Sequence, residues 1–272
     1  MNDIDCVTFL QWVLPRLDMR WAGFRKVRGQ VCKRVKRRIR DLELDGFAAY
    51  RARLEVEPQE WRVLDEYCRI TISRFFRDRG VFEVLRRRVL PDIAIRAGQE
   101  GREARCWSAG CASGEEPYTL RIIWDIEVAN TQPGAVLSIT ATDIDQAMVD
   151  RAREGCFEAT SLRELPPHLV AQAFDRIGDR FCVRPGHHAH VDFLLQDIRS
   201  EAPQGLFDLV LCRNLAFTYF APALQKRVLA LLLERILPRG YLVIGTHEQL
   251  PGHVPELKPL EGAPQVFERL VS

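Results

Sequence analysis

Hydrophobic residues in the first third of the chain recur at three- and four-residue intervals, the period of helices that bury one face. Val27, Val31, Val35, Ile39 and Leu42 form the clearest such stripe and predict a helix over 25–44. Similar patterns predict helices over 9–14, 46–54, 58–68 and 81–95, with Gly80 and Pro91 punctuating the end of the region. From Arg105 onward the pattern changes. Short strand-like runs at 106–109, 136–142, 207–212 and 241–245 alternate with helical patterns at 115–128, 146–154 and 222–237. That alternation predicts an α/β fold, a doubly wound, mostly parallel sheet with helices on both faces. Residues 180–195 read as two short strands joined at Pro185-Gly186-His187-His188, a β-hairpin inserted between βα units. The expected organisation is a small all-α N-terminal domain with its linker over 1–95. An α/β domain over 96–272 follows, with an inserted β-subdomain at about 178–195.

Composition changes this picture little: 47% hydrophobic and 28% charged residues in a chain of 272 describe a globular protein with a core. The longest apolar run, 228–233, falls far short of the roughly 20 residues a bilayer crossing needs. Acids in the opening Met-Asn-Asp-Ile-Asp argue against a signal peptide, so a cytoplasmic location is expected. The eight cysteines lie without a Cys-x-x-Cys pair and read as reduced, buried thiols; a disulfide framework is the rival that a core of this size makes unnecessary. His187, His188 and His190 follow Pro185-Gly186 and read as a solvated turn, because no Cys or carboxylate pattern completes a metal site.

Charge matters through its distribution. The net value is only +2, yet eleven basic residues and a single acid, Asp18, fall between Arg16 and Arg40. Ordinary solvated faces mix signs, so this one-sign face points to an acidic partner. Lys33, Arg34, Lys36, Arg37 and Arg40 are the candidate docking residues. Nucleic acid is not expected, because aromatic residues do not interleave with these bases.

Candidate chemistry lies where the α/β pattern begins. Trp107-Ser-Ala-Gly110-Cys-Ala-Ser-Gly114 joins a predicted strand to a predicted helix through two glycines, a turn that lets a ligand approach backbone amides at a helix start. It is neither the dinucleotide fingerprint nor a phosphate-binding loop, so a triphosphate is not expected. Asp143 ends the next strand, where an acid can hold ribose hydroxyls, and Asp197 ends a later apolar run. Each acid alone reads more often as a cap or turn residue; together they favour a nucleoside ligand at the carboxyl ends of the strands.

Four segments carry a family resemblance: Phe75-Phe-Arg-Asp78, Trp107 to Tyr118 with its Ser-Gly-Glu-Glu-Pro-Tyr, Ala141-Thr-Asp-Ile-Asp145, and Phe207-Asp-Leu-Val-Leu-Cys-Arg-Asn214. In order and spacing they resemble the CheR-type chemotaxis receptor methyltransferases. The resemblance implies a helical N-terminal domain before a class I, Rossmann-like methyltransferase domain with an inserted β-subdomain. It implies transfer of a methyl group from S-adenosylmethionine to glutamate side chains of a protein, a methyl-accepting chemotaxis receptor, giving γ-glutamyl methyl ester and S-adenosylhomocysteine without a metal. Thr71, Ser73, Arg77, Glu116, Asp143, Asp197, Ile198, Arg213 and Asn214 fall where the family binds its cofactor. Arg77 and Tyr219 fall nearest the transferred methyl, as the implied catalytic residues.

The pattern departs from the family at Cys212-Arg-Asn-Leu-Ala-Phe-Thr-Tyr-Phe220, one residue longer than usual, and at Thr71, where the family usually has Asn. The compact 180–195 segment lacks the extension of members that tether to a receptor's C-terminal peptide, so no tether is expected. The implied partner is the acidic, helical cytoplasmic part of a chemoreceptor, met by a monomer that does not insert into the membrane. The alternatives are a methyltransferase acting on another carboxylate and a non-catalytic module that responds to S-adenosylmethionine.

Overall fold

A computed structural model describes residues 3–271. The chain divides into two compact units, residues up to Ile70 with Thr218–Gln225, and Thr71–Phe217 with Lys226 onward. The expected boundary at 95 thus moves to Ile70. Phe82, Leu85, Val89, Ile93 and Ala97 share one core with the strand residues Cys106, Ile139, Leu209 and Val243, so their helix belongs to the α/β unit.

In the helical unit, helices Asp3–Val13, Arg28–Asp41, Gly46–Val56 and Pro58–Cys68 close around Phe9, Leu10, Val31, Val35, Ile39, Tyr50 and Leu64. The basic helix starts at Arg28, after a turn in which Val27 N–H bonds Phe24 O. It stops at Asp41 because Glu43 takes a left-handed φ of 54° and Leu44 N–H folds back onto Ile39 O. Val31, Val35 and Ile39 are buried as the stripe predicts. Arg38 donates to both oxygens of the buried Glu60 (2.9 and 2.8 Å), which also accepts from Tyr50 Oη at 2.7 Å. The Arg38 contact and burial, opposed in sign, leave the Glu60 carboxyl below its usual range.

The α/β unit opens with a continuous rod, Arg79–Val84, a wide π-type stretch Leu85–Val89, then Leu90–Gln99. Pro91 does not end it: Leu90 N–H reaches back five residues to Leu85 O, and proline follows in a turn where its missing donor is tolerated. Ten strands follow. The main sheet contains β1 (Ala104–Ala109), β2 (Leu137–Asp143), β6 (Val191–Leu195), β7 (Phe207–Cys212), β8 (Ile236–Ile244), β9 (Leu257–Leu260) and β10 (Ala263–Arg269). Their order is β6-β2-β1-β7-β8-β10-β9, parallel from β6 to β8 and antiparallel in the last three. This is the expected doubly wound α/β architecture; the terminal β9 and β10 carry lysine, proline and glutamate and escaped the strand pattern.

The inserted sheet differs from expectation. It is three-stranded, β3 (Cys156–Glu158), β4 (Phe174–Ile177) and β5 (Arg180–Val183), in the order β3-β5-β4. Its hairpin turns at Gly178, not at Pro185, and 191–195 leaves for the main sheet, where it pairs with β2 in parallel. Pro185–His188 is a single helical turn. His187 Nδ1 lies 2.7 Å from Asp125 Oδ2 and His188 Nδ1 2.9 Å from Tyr118 Oη, so these two side chains are packed rather than solvated.

The reading of all eight cysteines as reduced thiols is also corrected. Disulfides join Cys6 to Cys32 and Cys156 to Cys182, while Cys68, Cys106, Cys111 and Cys212 are free and buried. The β3–β5 register sets Cys156 opposite Cys182, a proximity that linear spacing does not reveal. Among the described residues no helix is long and apolar enough to cross a membrane.

Candidate active site

Strand order fixes where a ligand crevice lies. The chain passes from β1 to β2 on one side, then later to β7 on the other, so the sheet switches direction between β1 and β7 at their carboxyl ends. The loop after β1 is the glycine turn. Gly110, Ala112 and Gly114 all have positive φ (78, 47 and 93°), and Gly110 and Cys111 both donate to Thr142 O, at 2.8 and 2.9 Å. A Cβ on Gly110 would lie 2.3 Å from Leu215 Cδ2, and one on Gly114 3.0 Å from Ala152 Cβ. The positive φ at both places favours glycine, the packing leaves little room for a side chain, and the turn delivers Glu115–Ile123 with its N-terminus at the crevice.

Asp143 closes β2 and braces this turn. One carboxylate oxygen accepts Ala112 N–H at 2.8 Å and the other Asp145 N–H at 2.9 Å. Asp145 in turn caps the helix Gln146–Glu154 through Ala147 and Met148 N–H. Beyond β6, Gln196 N–H bonds Asp143 O at 2.9 Å, which brings Asp197 and the buried Ile198 to the same edge. The Asp197 carboxylate is held by Arg199, through its backbone N–H at 2.9 Å and its Nε at 2.9 and 3.0 Å.

On the β7 side Arg213 is the organising group. Its guanidinium, with 2% of the side chain exposed, donates to Glu116 Oε2 (2.7 Å), Asp78 Oδ2 (2.9 Å) and Arg77 O (2.6 Å). It also lies over the Phe82 ring. Glu116 accepts on its other oxygen from Ser108 Oγ at 2.8 Å. Burial alone would raise the Asp78 carboxyl, but the Arg213 charge and the Asn214 amide outweigh it and hold the group below its usual range. Asn214, left-handed at φ 55°, and Leu215 give their backbone N–H groups to the buried Glu248, at 2.8 and 3.1 Å.

The structure thus brings together the backbone of Arg77, Glu116, Arg213 and Asn214, and on the β2 side Asp143 with Asp197 and Ile198. The Arg77 side chain turns to Ile72 O at 2.5 Å, and Thr71 and Ser73 are half-buried in the non-helical segment ahead of Phe75. Tyr219 groups with the helical unit, where its ring meets Phe24 at 5.1 Å and its carbonyl accepts Arg20 N–H at 2.8 Å. Of the basic residues, Lys33, Arg37 and Arg40 are exposed and Lys36 half-exposed. Arg34 is turned inward, donating to Tyr67 O and Arg69 O. Asp78 and Glu248 were not singled out from sequence. Asp78 had a signal, standing at the end of Phe75-Phe-Arg-Asp78; Glu248 had none, because Asn214 and Leu215, whose amides it accepts, lie more than thirty residues away.

The crevice suits a nucleoside that carries positive charge. Asp143 offers acceptor oxygens at the tip of β2, the donor set of a ribose diol being its complement, and the turn offers amides and close backbone approach. Arg213 faces two carboxylates, so the Asp78–Arg213–Glu116 cluster carries net negative charge.

Comparison with known proteins bears on the same residues. The family described as CheR methyltransferase, SAM binding domain, matches residues 71–266. The chain is 37% identical over 188 residues to chemotaxis protein methyltransferase 1 of Pseudomonas aeruginosa, covering 66% of this chain and 67% of that protein. It is 33% identical over 201 residues to a chemotaxis protein methyltransferase of Vibrio parahaemolyticus, 72% of this chain and 71% of that one. An uncharacterised 104.1 kDa protein of Rhodobacter capsulatus is 30% identical over 222 residues, 82% of this chain, but the chain spans only 23% of its length.

Proposed function

This chain belongs to the CheR methyltransferase family, and from that premise we propose that it methylates glutamate side chains of a chemoreceptor with S-adenosylmethionine. The products are a γ-glutamyl methyl ester and S-adenosylhomocysteine. The observation that carries this reading is the Gly110–Gly114 turn braced by Asp143 at the carboxyl ends of β1 and β2.

When bound, the cofactor supplies an electrophilic methyl group on a sulfonium. Asp143 would hold its ribose, Asp197 and Ile198 would line the base, and the turn with Arg213, Asn214 and Glu116 would shape the amino-acid end. Thr71 and Ser73 would flank that end. A glutamate carboxylate ionises at about pH 4.3, so at neutral pH it is already a nucleophile and no general base is needed. Attack cancels a negative charge against a positive one, so the protein gains by alignment and exclusion of water rather than by stabilising new charge. Arg77 is assigned that orienting role. The net-negative Asp78–Arg213–Glu116 cluster favours the sulfonium over its neutral thioether product.

Lys33, Lys36, Arg37 and Arg40 are the proposed docking face for the acidic receptor helix, steering encounter over roughly 8 Å at physiological salt. Arg34 and Arg38 serve the fold instead. A cytoplasmic, monomeric enzyme without a receptor-tail tether completes the proposal. Incubation with methyl-labelled cofactor and purified receptor cytoplasmic fragments tests it. Label released as methanol by base supports ester formation, and label stable to base or absent from the receptor contradicts it.

A further inference from the structure

The carboxylate of Glu248 accepts three backbone amides: Gly245 N–H at 2.7 Å, Asn214 N–H at 2.8 Å and Leu215 N–H at 3.1 Å. Its residue is 6% exposed. It stands in the loop that follows β8, while Asn214 and Leu215 stand in the loop that follows β7, so a single side chain ties the two strand ends together. The tie is tight, since a Cβ on Gly245 would fall 2.8 Å from Glu248 Oε2 and 2.9 Å from Asn214 Oδ1.

Those two loop residues face the glycine turn. Leu215 Cδ2 occupies the place where a Gly110 side chain would begin, and Asn214 Nδ2 lies 3.4 Å from the Asp78 carboxylate that Arg213 also grips. Asn214 holds a left-handed backbone, which asparagine tolerates better than most residues, and its N–H is fixed there by Glu248. We propose that Glu248 is a positioning residue for cofactor binding, fixing Asn214 and the Leu215 wall of the Gly110 turn by gripping their amides without touching the ligand. This rests on the reading that the cofactor lies on that turn.

The test is a set of binding cycles read by calorimetry with S-adenosylhomocysteine. Glu248→Gln keeps the shape but removes one acceptor oxygen and sets an amide donor among three others. It is expected to weaken affinity about tenfold, the scale of one lost charge-assisted hydrogen bond. In an Asn214→Ala background the same change is expected to cost clearly less, because residues in one hydrogen-bond network couple. Gly245→Ala, which keeps the carboxylate but pushes it aside, is a second variant expected to weaken binding should Glu248→Gln not fold. Unchanged affinity in the folded variants, or an equal loss with and without Asn214, overturns the inference. If Asp143→Ala itself binds like wild type, the cofactor placement fails instead, so the two failures are distinguishable.

Discussion

Arg213 and Glu116 meet at 2.7 Å with almost all of the arginine side chain removed from solvent, joining the end of β7 to the first turn of the helix after the glycine turn. A buried charge held this way contributes little net stability while paired, but removing one partner strands the other.

Arg213→Met is therefore expected to lower unfolding free energy by about 3 kcal/mol, because Glu116 and Asp78 lose their common counter-charge. Denaturant unfolding measures this. A loss below about 0.5 kcal/mol, the scale of a surface pair, would mean that the clamp is not desolvated.

Acid should act on the helical unit through Glu60. Its folded pKa is lowered by Arg38 against the cost of burial, so the stabilisation is present above the unfolded value of about 4.3 and is lost as pH falls through the lower folded value. Fluorescence-detected urea midpoints are expected to hold steady from neutral pH to about 5 on this group's behalf and to fall below about 4. Glu60→Gln should lower the midpoint at pH 7 and flatten that acid slope.

Docking and folding should separate on the basic helix. Reversing Lys33, Arg37 and Arg40 to Glu is expected to raise KM for the receptor substrate about tenfold at low salt, with cofactor affinity unchanged and the difference shrinking as salt rises. Arg38→Ala should instead lower stability, because Glu60 stays buried without its partner. Initial rates at several ionic strengths check the first, thermal unfolding the second.

The cysteine pairing gives a count. Four thiols are expected to react in denaturant without reductant, those of Cys68, Cys106, Cys111 and Cys212, and eight after reduction. Eight before reduction would show both pairs open.

What the sequence made legible was local in origin. Proline at the start and an apolar period of 3.6 set the helix Pro58–Cys68, and an unbroken apolar run set β7. The Gly110 turn and Asp143 could be placed because both belong to strand ends. The illegible parts depended on register and on long side chains. Cys156 meets Cys182 only through the β3–β5 pairing, and 191–195 could not be told from a hairpin arm until β2 claimed it. Arg34 and Arg38 flank the apolar stripe, where their aliphatic stems allow the charged heads to reach the Pro58–Cys68 helix and the backbone after it. Glu248 satisfies amides of a loop far away in sequence, and no pattern of types or spacing announces that.

The most direct measurement is calorimetric titration of the purified chain with S-adenosylmethionine and S-adenosylhomocysteine, repeated on Asp143→Ala. Both ligands should bind wild type, and affinity should fall by at least about tenfold when the ribose loses its acceptor and the turn its brace. Binding undiminished by Asp143→Ala, or no binding to folded wild type, would contradict the placement of the cofactor at the carboxyl ends of β1 and β2.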